Sequence, residues 1–490
     1  MPRSSNLFPR ALPPWKPLAW VLIPCVIVWV LCFPVAATAD DSLPPGVRNV
    51  LNHRQLAPGN LSLYVENMRT GEPVLAWNEN QPRNPASVAK LLTTLVALDT
   101  LGPSYTWKTD VFFAGEIRDD ALEGDLMFKG YGDPFLTTER LWSMLHAVRD
   151  AGITRINGNL LLDDSYFHVG DYDPAAFDNS PLRAYNVAPN ALLMNFKVVQ
   201  YQFRPDAGGG KVNVRLHPEL ENLQVVNRLS VRDGSCGGYQ RGITITPNED
   251  VGQMIVSGTF PRGCGSYAMS RTALGHNDFA YGLIKSVWGE MGGELSGGWK
   301  KVTIPEDLKP VLSFQSPSLA EVITMVNKYS NNVMAHQLLY TLAAEQFGAP
   351  GTEENGRLVV QQWLEERGFD VDGLRFDNGA GLSRDARMSA RHLVDLLRYA
   401  YQSRYMPEFM SSMSLPGLDG TLSSRFRDDA LTGMAHMKTG SLDDVTAIAG
   451  YMQARSGERY IVVALHNDRN IHRGTGQEVQ GALLRWVFER

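Results

Sequence analysis

Cysteine is scarce in this chain of 490 residues: there are four, and Cys25 and Cys32 lie inside an apolar N-terminal run. That leaves Cys236 and Cys264 as the one pair beyond it, too few for a disulfide-dense scaffold or a cysteine-built metal knuckle. In an oxidising compartment the pair is expected to form one structural disulfide, stabilising by about 3 kcal/mol in the chain-entropy view. Two unpaired buried thiols are the alternative. Concentrated positive charge is missing too. A net charge of −6 with no basic stretch gives nucleic acid nothing to bind. The ten histidines form no H-E-x-x-H or similar spacing, which disfavours a zinc peptidase, so neither metal nor cofactor is expected. After residue 39 no segment is apolar for long enough to cross a bilayer.

The N-terminus differs from the rest. Arg3, Arg10 and Lys16 precede an apolar run from Leu18 to Val35, and Ala37-Thr38-Ala39 then leads into Asp40-Asp41. This reads as a secretory signal peptide over residues 1–39, which places the remainder across the membrane in the periplasm or a comparable extracytoplasmic space. An uncleaved anchor is the alternative, disfavoured by Pro24 and Pro34 within the run.

Beyond a linker, Leu61 to Glu66 and Val74 to Trp77 flank a turn at residues 68–72 and predict a hairpin. Asn84 as cap, Pro85 in the first turn, and Val88, Leu91, Leu92, Leu95 and Leu98 predict a helix running to Leu101. From about residue 100 to 305 the texture becomes short strands punctuated by glycine, an inserted and largely β region. Helical patterns resume after Ser316-Pro317-Ser318 and again from Met334 to Phe347, with further helices at 353–367 and 389–401. Three β-like runs, at 434–440, 447–453 and 460–465, precede a closing helix at 477–488. The economical packing is an α/β (α+β) fold, an antiparallel sheet covered by helices. On this reading residues 40–99 and 306–490 form one discontinuous catalytic domain, and residues 100–305 leave and rejoin it as an accessory region.

Three motifs stand in one order on that frame: Ser87-Val88-Ala89-Lys90, Ser330-Asn331-Asn332 and Lys438-Thr439-Gly440. An S-x-x-K match arises about once or twice by chance in a chain of this size, so the ordering carries the specificity. A serine hydroxyl is too weakly acidic to attack unaided. Lys90, one helical turn on, can serve as its base if desolvation and a nearby cation such as Lys438 lower its pKa. Ser330 can relay a proton to a leaving amine, and Asn332 can hold a substrate amide or Lys90. Lys438 and Thr439 suit a terminal carboxylate, and Gly440 lets an acyl group approach the backbone. The backbone N–H groups of Ser87 and Ser441 are the natural donors to a tetrahedral oxyanion.

These motifs resemble the S-x-x-K, S-D-N and K-T-G set of penicillin-binding proteins and β-lactamases, with Asn331 at the variable middle position. With its long insertion, the chain is similar to low-molecular-mass class C penicillin-binding proteins, the D-alanyl-D-alanine carboxypeptidase/endopeptidases of the penicillin-binding protein 4 type. Residues 132–134, 185–190, 379–384 and 419–422 resemble stretches of these enzymes. The resemblance implies a penicillin-binding transpeptidase-like domain, with two nested domains in the insertion. It implies Ser87 as acylated nucleophile, Lys90 as base, Ser330 as relay, Asn332 as amide ligand and Lys438 with Thr439 as carboxylate clamp. Asp178 and Tyr185 are the candidates for holding the side chain of the stem peptide, and Arg384 matches a substrate-side arginine. Asp443 stands where some relatives carry glutamine, so side-chain preference is expected to differ. The implied activity is serine-type cleavage of D-Ala-D-Ala termini or D-Ala crosslinks in peptidoglycan stem peptides, with β-lactams as covalent inhibitors. A homodimer and a peripheral membrane contact stay open. The competing readings are a β-lactamase, disfavoured by the lack of an identifiable deacylating base, and a catalytically silent wall-binding protein, disfavoured by the intact Ser/Lys pairs.

Overall fold

The computed structural model describes residues 42–206, 210–237, 242–248 and 252–490. The expected signal peptide, with Cys25 and Cys32, lies outside the described residues. Helix α1 (Pro45–Arg54) is followed by the hairpin of β1 (Leu61–Asn67) and β2 (Pro73–Trp77). Its turn is closed by the Asn67 side chain, whose Oδ1 accepts from the N–H groups of Arg69 and Thr70 at 2.9 and 3.2 Å. The predicted helix after Asn84 begins differently from expectation. A 3-10 turn, Ala86–Ala89, comes first, and α2 (Lys90–Leu101) starts only at the lysine.

The next region contains β3 (Lys108–Arg118), β4 (Ala121–Gly130), α3 (Thr138–Asp150), β5 (Arg155–Ile156) and β6 (Leu160–Asp163). Then come β7 (Val198–Pro205), β8 (Val212–His217), β9 (Gln224–Arg232), β10 (Ile243–Asn248), β11 (Gln253–Pro261) and β12 (Tyr267–Thr272). Helix α4 (His276–Glu290) leads to β13 (Glu294–Leu295), β14 (Trp299–Lys301) and β15 (Leu312–Gln315). The two helices are a departure from the strand-rich expectation. In α3, Leu141, Met144, Leu145 and Val148 are buried at helical spacing, and α4 buries Phe279, Ala280, Leu283, Ile284 and Val287 beside them in one core. β15 pairs with β3, so this sheet runs past residue 305. The strands form a seven-stranded mixed sheet and two three-stranded sheets, β12-β7-β8 and β10-β11-β9. Cys236 and Cys264 are joined by a disulfide.

Helices α5 (Leu319–Lys328), α6 (Asn332–Phe347), α7 (Glu353–Glu366), α8 (Ala390–Gln402) and the short α9 (Met406–Ser411) follow. Ser318 caps α5 reciprocally with Glu321. The chain closes with β16 (Ala435–Leu442), β17 (Val445–Gln453), β18 (Arg459–Asn467) and α10 (Thr475–Phe488). These strands join the first hairpin in a five-stranded antiparallel sheet, ordered β16-β17-β18-β1-β2. Its two faces alternate residue by residue, as a pleat requires. Tyr64, Ala447, Ala449, Val463 and Leu465 pack under α2, α5, α6 and α8, while Leu63, Val65, Ile448, Val462 and Ala464 pack with residues of α1 and α10. The covered sheet leaves β16 as a free edge, and all three motifs meet there. Among the described residues no helix is long and apolar enough to cross a membrane.

Candidate active site

Ser87 sits in the 3-10 turn, behind Ala86, whose φ of 46° is left-handed. The Asn84 side chain fixes the turn: its Oδ1 accepts from Ala86 N–H at 2.8 Å and its Nδ2 donates to Ser383 O at 2.8 Å. The turn lies directly on β16. A Cβ placed on Gly440 would stand 2.6 Å from Pro85 O and 3.0 Å from Ser87 N, so only glycine permits the approach.

The orientation of β16 follows from its neighbours. Met437 exchanges both backbone hydrogen bonds with Ser414, outside the sheet, at 2.9 and 3.0 Å. The β16–β17 register runs without a bulge, so with period two the N–H and C=O groups of Thr439 and Ser441 also point off the free edge. Ser441 N–H and the Ser87 turn thus face the same space.

Lys90 is fully buried, and its Nζ lies 3.0 Å from Ser87 Oγ, 2.6 Å from Asn332 Oδ1 and in hydrogen-bond contact with the Ala380 carbonyl. The sharp Gly379-Ala380-Gly381 segment presents that carbonyl, with both glycines at positive φ. Burial, followed by the charge on Lys438, holds the Lys90 pKa well below its ordinary value. The three oxygen partners of Lys90 leave no room for a carboxylate, so nothing nearby offsets the loss of water. His336, one turn along α6 from Asn332, has its pKa pushed down to about 4, chiefly by burial.

Lys438 is equally buried, and burial pushes its pKa down to about 7. Its Nζ donates to Ser330 Oγ at 2.9 Å and to Thr439 O at 2.7 Å. Ser330 adopts φ 57° at the break between α5 and α6, a left-handed conformation that turns the chain between the two helices. The ammonium therefore meets the cleft through Ser330 rather than as an open cation. Thr439 Oγ1 lies 2.7 Å from Thr421 Oγ1.

The cleft above these groups has a volume of about 380 Å³. Ser87, Ser330, Asn332 and Ser441 line it together with Asp178, Tyr185, Arg384 and Asp443. Lys438 and Gly440 are buried behind it. Tyr185 Oη donates to Asp178 Oδ2 at 2.7 Å, and Asn186 Nδ2 to Asp178 Oδ1 at 2.8 Å. Arg384 stacks on Phe177, 4.5 Å from the ring centroid, and its Nη2 is 3.7 Å from Asp443 Oδ2. Phe177, Leu382, Leu442 and His472 also line the cleft and were not anticipated. His472 Nδ1 accepts from Asp444 N–H at 2.8 Å, which turns Nε2 toward Asp443 at 3.5 Å. No spacing in the sequence marks His472, since β18 carries it there from an otherwise ordinary loop. Among the described residues no three His, Cys, Asp or Glu side chains are grouped to hold a metal.

A covered antiparallel sheet with a serine, two buried lysines and a second serine at its free edge defines a penicillin-binding type of acyl-serine fold. The chain belongs to the D-Ala-D-Ala carboxypeptidase 3 (S13) family, whose description matches residues 46–489. It is a serine D-Ala-D-Ala carboxypeptidase, as the motifs implied. A D-alanyl-D-alanine carboxypeptidase from Actinomadura sp. (strain R39) is 28% identical over 427 residues, covering 81% of this chain and 76% of the relative. The crystal structure of penicillin binding protein 4 (dacB) from Haemophilus influenzae superposes with a TM-score of 0.77 at 22% identity, covering 91% of this chain and 99% of the other. The same protein complexed with a novel β-lactam gives a TM-score of 0.72 at 22% identity, covering 90% of this chain and 100% of the other.

Proposed function

We propose that Ser87 attacks the carbonyl of an acyl-D-alanine bond while Lys90 Nζ takes its proton. The observation that carries this is the Lys90 amine, fully buried, its pKa held well below the ordinary value by burial, and 3.0 Å from Ser87 Oγ. The oxyanion forms between the N–H groups of Ser87 and Ser441, where losing one donor costs about 10² to 10³ in rate. As the C–N bond breaks, Ser330 Oγ, held by the Lys438 amine, relays to the departing amine the proton that Lys90 took from Ser87, so both lysines return to their starting state before water attacks. The leaving carboxylate is held by the hydroxyls of Ser330 and Thr439 with the Lys438 charge behind them. Asn332 orients Lys90 and the substrate amide. Water then cleaves the Ser87 ester, releasing the shortened peptide.

Peptidoglycan stem peptides are the substrate on this reading, cut either at the terminal D-Ala or at a D-Ala crosslink, and Asp178, Tyr185, Arg384 and Asp443 sort their side chains. The β-lactam complex of the H. influenzae protein supports acylation of Ser87 by β-lactams. Residues 40–99 and 306–490 act as the catalytic domain, with 100–305 as accessory region, in a protein exported by residues 1–39 to the periplasm. Intact mass and peptide mapping after brief exposure to benzylpenicillin test the chemistry. A stable adduct on Ser87 is expected; an unlabelled protein beside unhydrolysed penicillin would overturn it, and rapid turnover of the drug would return the β-lactamase reading.

A further inference from the structure

The loop that supplies Asp178 and Tyr185 to the cleft has a second side. Ser180, Leu182 and Arg183 form one wall of a separate groove of about 410 Å³, whose other walls are Ile243 and Ile245 of β10 and Met269 and Arg271 of β12. The loop is firmly seated: Asn186 Nδ2 donates to Asp178 Oδ1 and to Ser180 O at 2.8 and 3.0 Å, and Thr272 N–H donates to Leu182 O at 3.0 Å. Strands β10 and β12 are each the edge of a three-stranded sheet. The groove therefore runs between two strand edges, on an apolar floor, and adjoins the active cleft through one loop.

Its charge is one-sided. Arg183 and Arg271 both line it, and neither is within ion-pair distance of a carboxylate among the described residues. Arg271 donates only to the carbonyl of its neighbour Ser270, at 2.8 Å. Arg384, across the loop in the active cleft, faces the Asp443 carboxylate instead. Two adjacent guanidinium groups without a counter-charge favour an anionic ligand, and Arg suits carboxylates through its planar fork. Burial and the Arg183 charge hold Arg271 below its ordinary pKa, a further sign of mutual repulsion.

We propose that this groove extends the active cleft and seats an acidic peptide, the second stem peptide of a crosslinked substrate, with its free carboxylates on Arg183 and Arg271. The proposal rests on the acyl-serine reading above. The cleft holds one acyl-D-alanine terminus, and a crosslink attaches another peptide of similar bulk, for which the adjoining groove offers comparable room and complementary charge. Both strands are sheet edges, along which such a peptide can lie extended.

The test compares three substrates on the full-length enzyme: a crosslinked peptide dimer with free carboxylates, the same dimer with its carboxylates amidated, and a short N-acylated D-Ala-D-Ala peptide. The unmodified enzyme is expected to show a KM about tenfold lower for the free-acid dimer than for the amidated one, the worth of one charge-assisted hydrogen bond. Arg183→Gln with Arg271→Gln should erase that preference and leave the short peptide and benzylpenicillin labelling of Ser87 as they were. Arg183→Gln alone, at an exposed position, keeps the comparison available if the double variant does not fold. An equal KM for both dimers in the unmodified enzyme, or a preference that survives these variants, overturns the groove. Absence of Ser87 labelling in the unmodified enzyme instead overturns the catalytic reading, and the groove's assignment with it.

Discussion

The floor and the rim of the cleft hold similar side chains under opposite conditions. On the floor, Lys90 and Lys438 are sealed from solvent with no carboxylate beside them, and every hydrogen bond they make is to a neutral oxygen. On the rim, Arg384 and Asp443 are 46% and 75% exposed and satisfy each other. Desolvation acts on the floor with nothing to offset it, so the lysines are driven toward the neutral amine that can accept a proton. On the rim the two side chains stay in water and face each other, placed to attract or repel a group of a bound peptide. On the proposed mechanism, burial without compensation serves the chemistry, and exposure with compensation serves selectivity.

The sharpest way to break this comparison is Lys90→Met. Losing the base should slow acylation of Ser87 by benzylpenicillin about 10³-fold, read by intact mass over time. The same change removes a buried amine with no counter-charge, so Tm should rise, by roughly 2 °C or more. A variant that acylated at the normal rate would remove Lys90 from the mechanism, and a lower Tm would contradict the cost assigned to its burial. Next in size is Gly440→Ala. The added methyl must push the Ser87 turn off β16, because Pro85 O and Ser87 N occupy its place, and a displacement of this kind costs about 10² in rate. Normal acylation would mean that the turn can yield without harm.

The sequence makes the parts of the floor legible but not their electrostatics. The Ser/Lys spacing, the capped starts of α5 and α8, and the alternation in β16 to β18 are all local patterns. Local pattern fails where partners are distant. The 3-10 turn at Ser87 replaces the first turn of the expected helix because Asn84, tied to Ser383, sets the chain's entry angle. The depth of Lys438 depends on the α5–α6 junction, which sets Ser330 on its amine from far away in the chain, so it reads in sequence as an open carboxylate clamp. Helix α3 was available, with Leu141, Met144, Leu145 and Val148 at helical spacing, but was obscured by the glycines and strands around it. His472 and the Arg183–Arg271 groove come from loops and strand edges brought together by the fold, which no spacing encodes.

Lys438→Gln sharpens the floor's electrostatics. On the proposed mechanism acylation needs neutral Lys90, so the rate should fall as pH drops through its pKa. Both burial and Lys438 lower that pKa. Without the second charge it rises, and the acid limb of kcat/KM for penicillin should move up by about one pH unit. Stability gives an independent check. The folded Lys438 has a pKa of about 7 and the unfolded one about 10.4, so the unfolded chain binds more protons between those values and wild-type stability rises with pH across that window. The Tm advantage of Lys438→Met should therefore be greatest below pH 7 and fade toward pH 10. An acid limb that stays in place would show that the two lysines do not interact.

The smallest effect belongs to the rim, at Asp443→Asn. Asp443 is the common acceptor of this edge: its carboxylate faces Arg384 Nη2 at 3.7 Å and His472 Nε2 at 3.5 Å, and its carbonyl accepts from Arg384 Nη1 at 3.3 Å. The carbonyl and the Phe177 ring keep the guanidinium in position when the carboxylate is removed, so the substitution changes charge more than geometry. Arg384 would then face the cleft without a counter-charge. A stem peptide bearing a carboxylate in its side chain should gain about threefold in kcat/KM, the scale of an exposed ion pair, while an amidated side chain should be unaffected. The gain should also shrink as salt is raised from 0.01 to 0.5 M, because both partners are solvent-exposed. Benzylpenicillin, which has no such side chain, should acylate Ser87 at the unmodified rate. Equal gains for both peptides would mean that Asp443 acts through the geometry of the β16–β17 turn, and the rim would then belong with the floor.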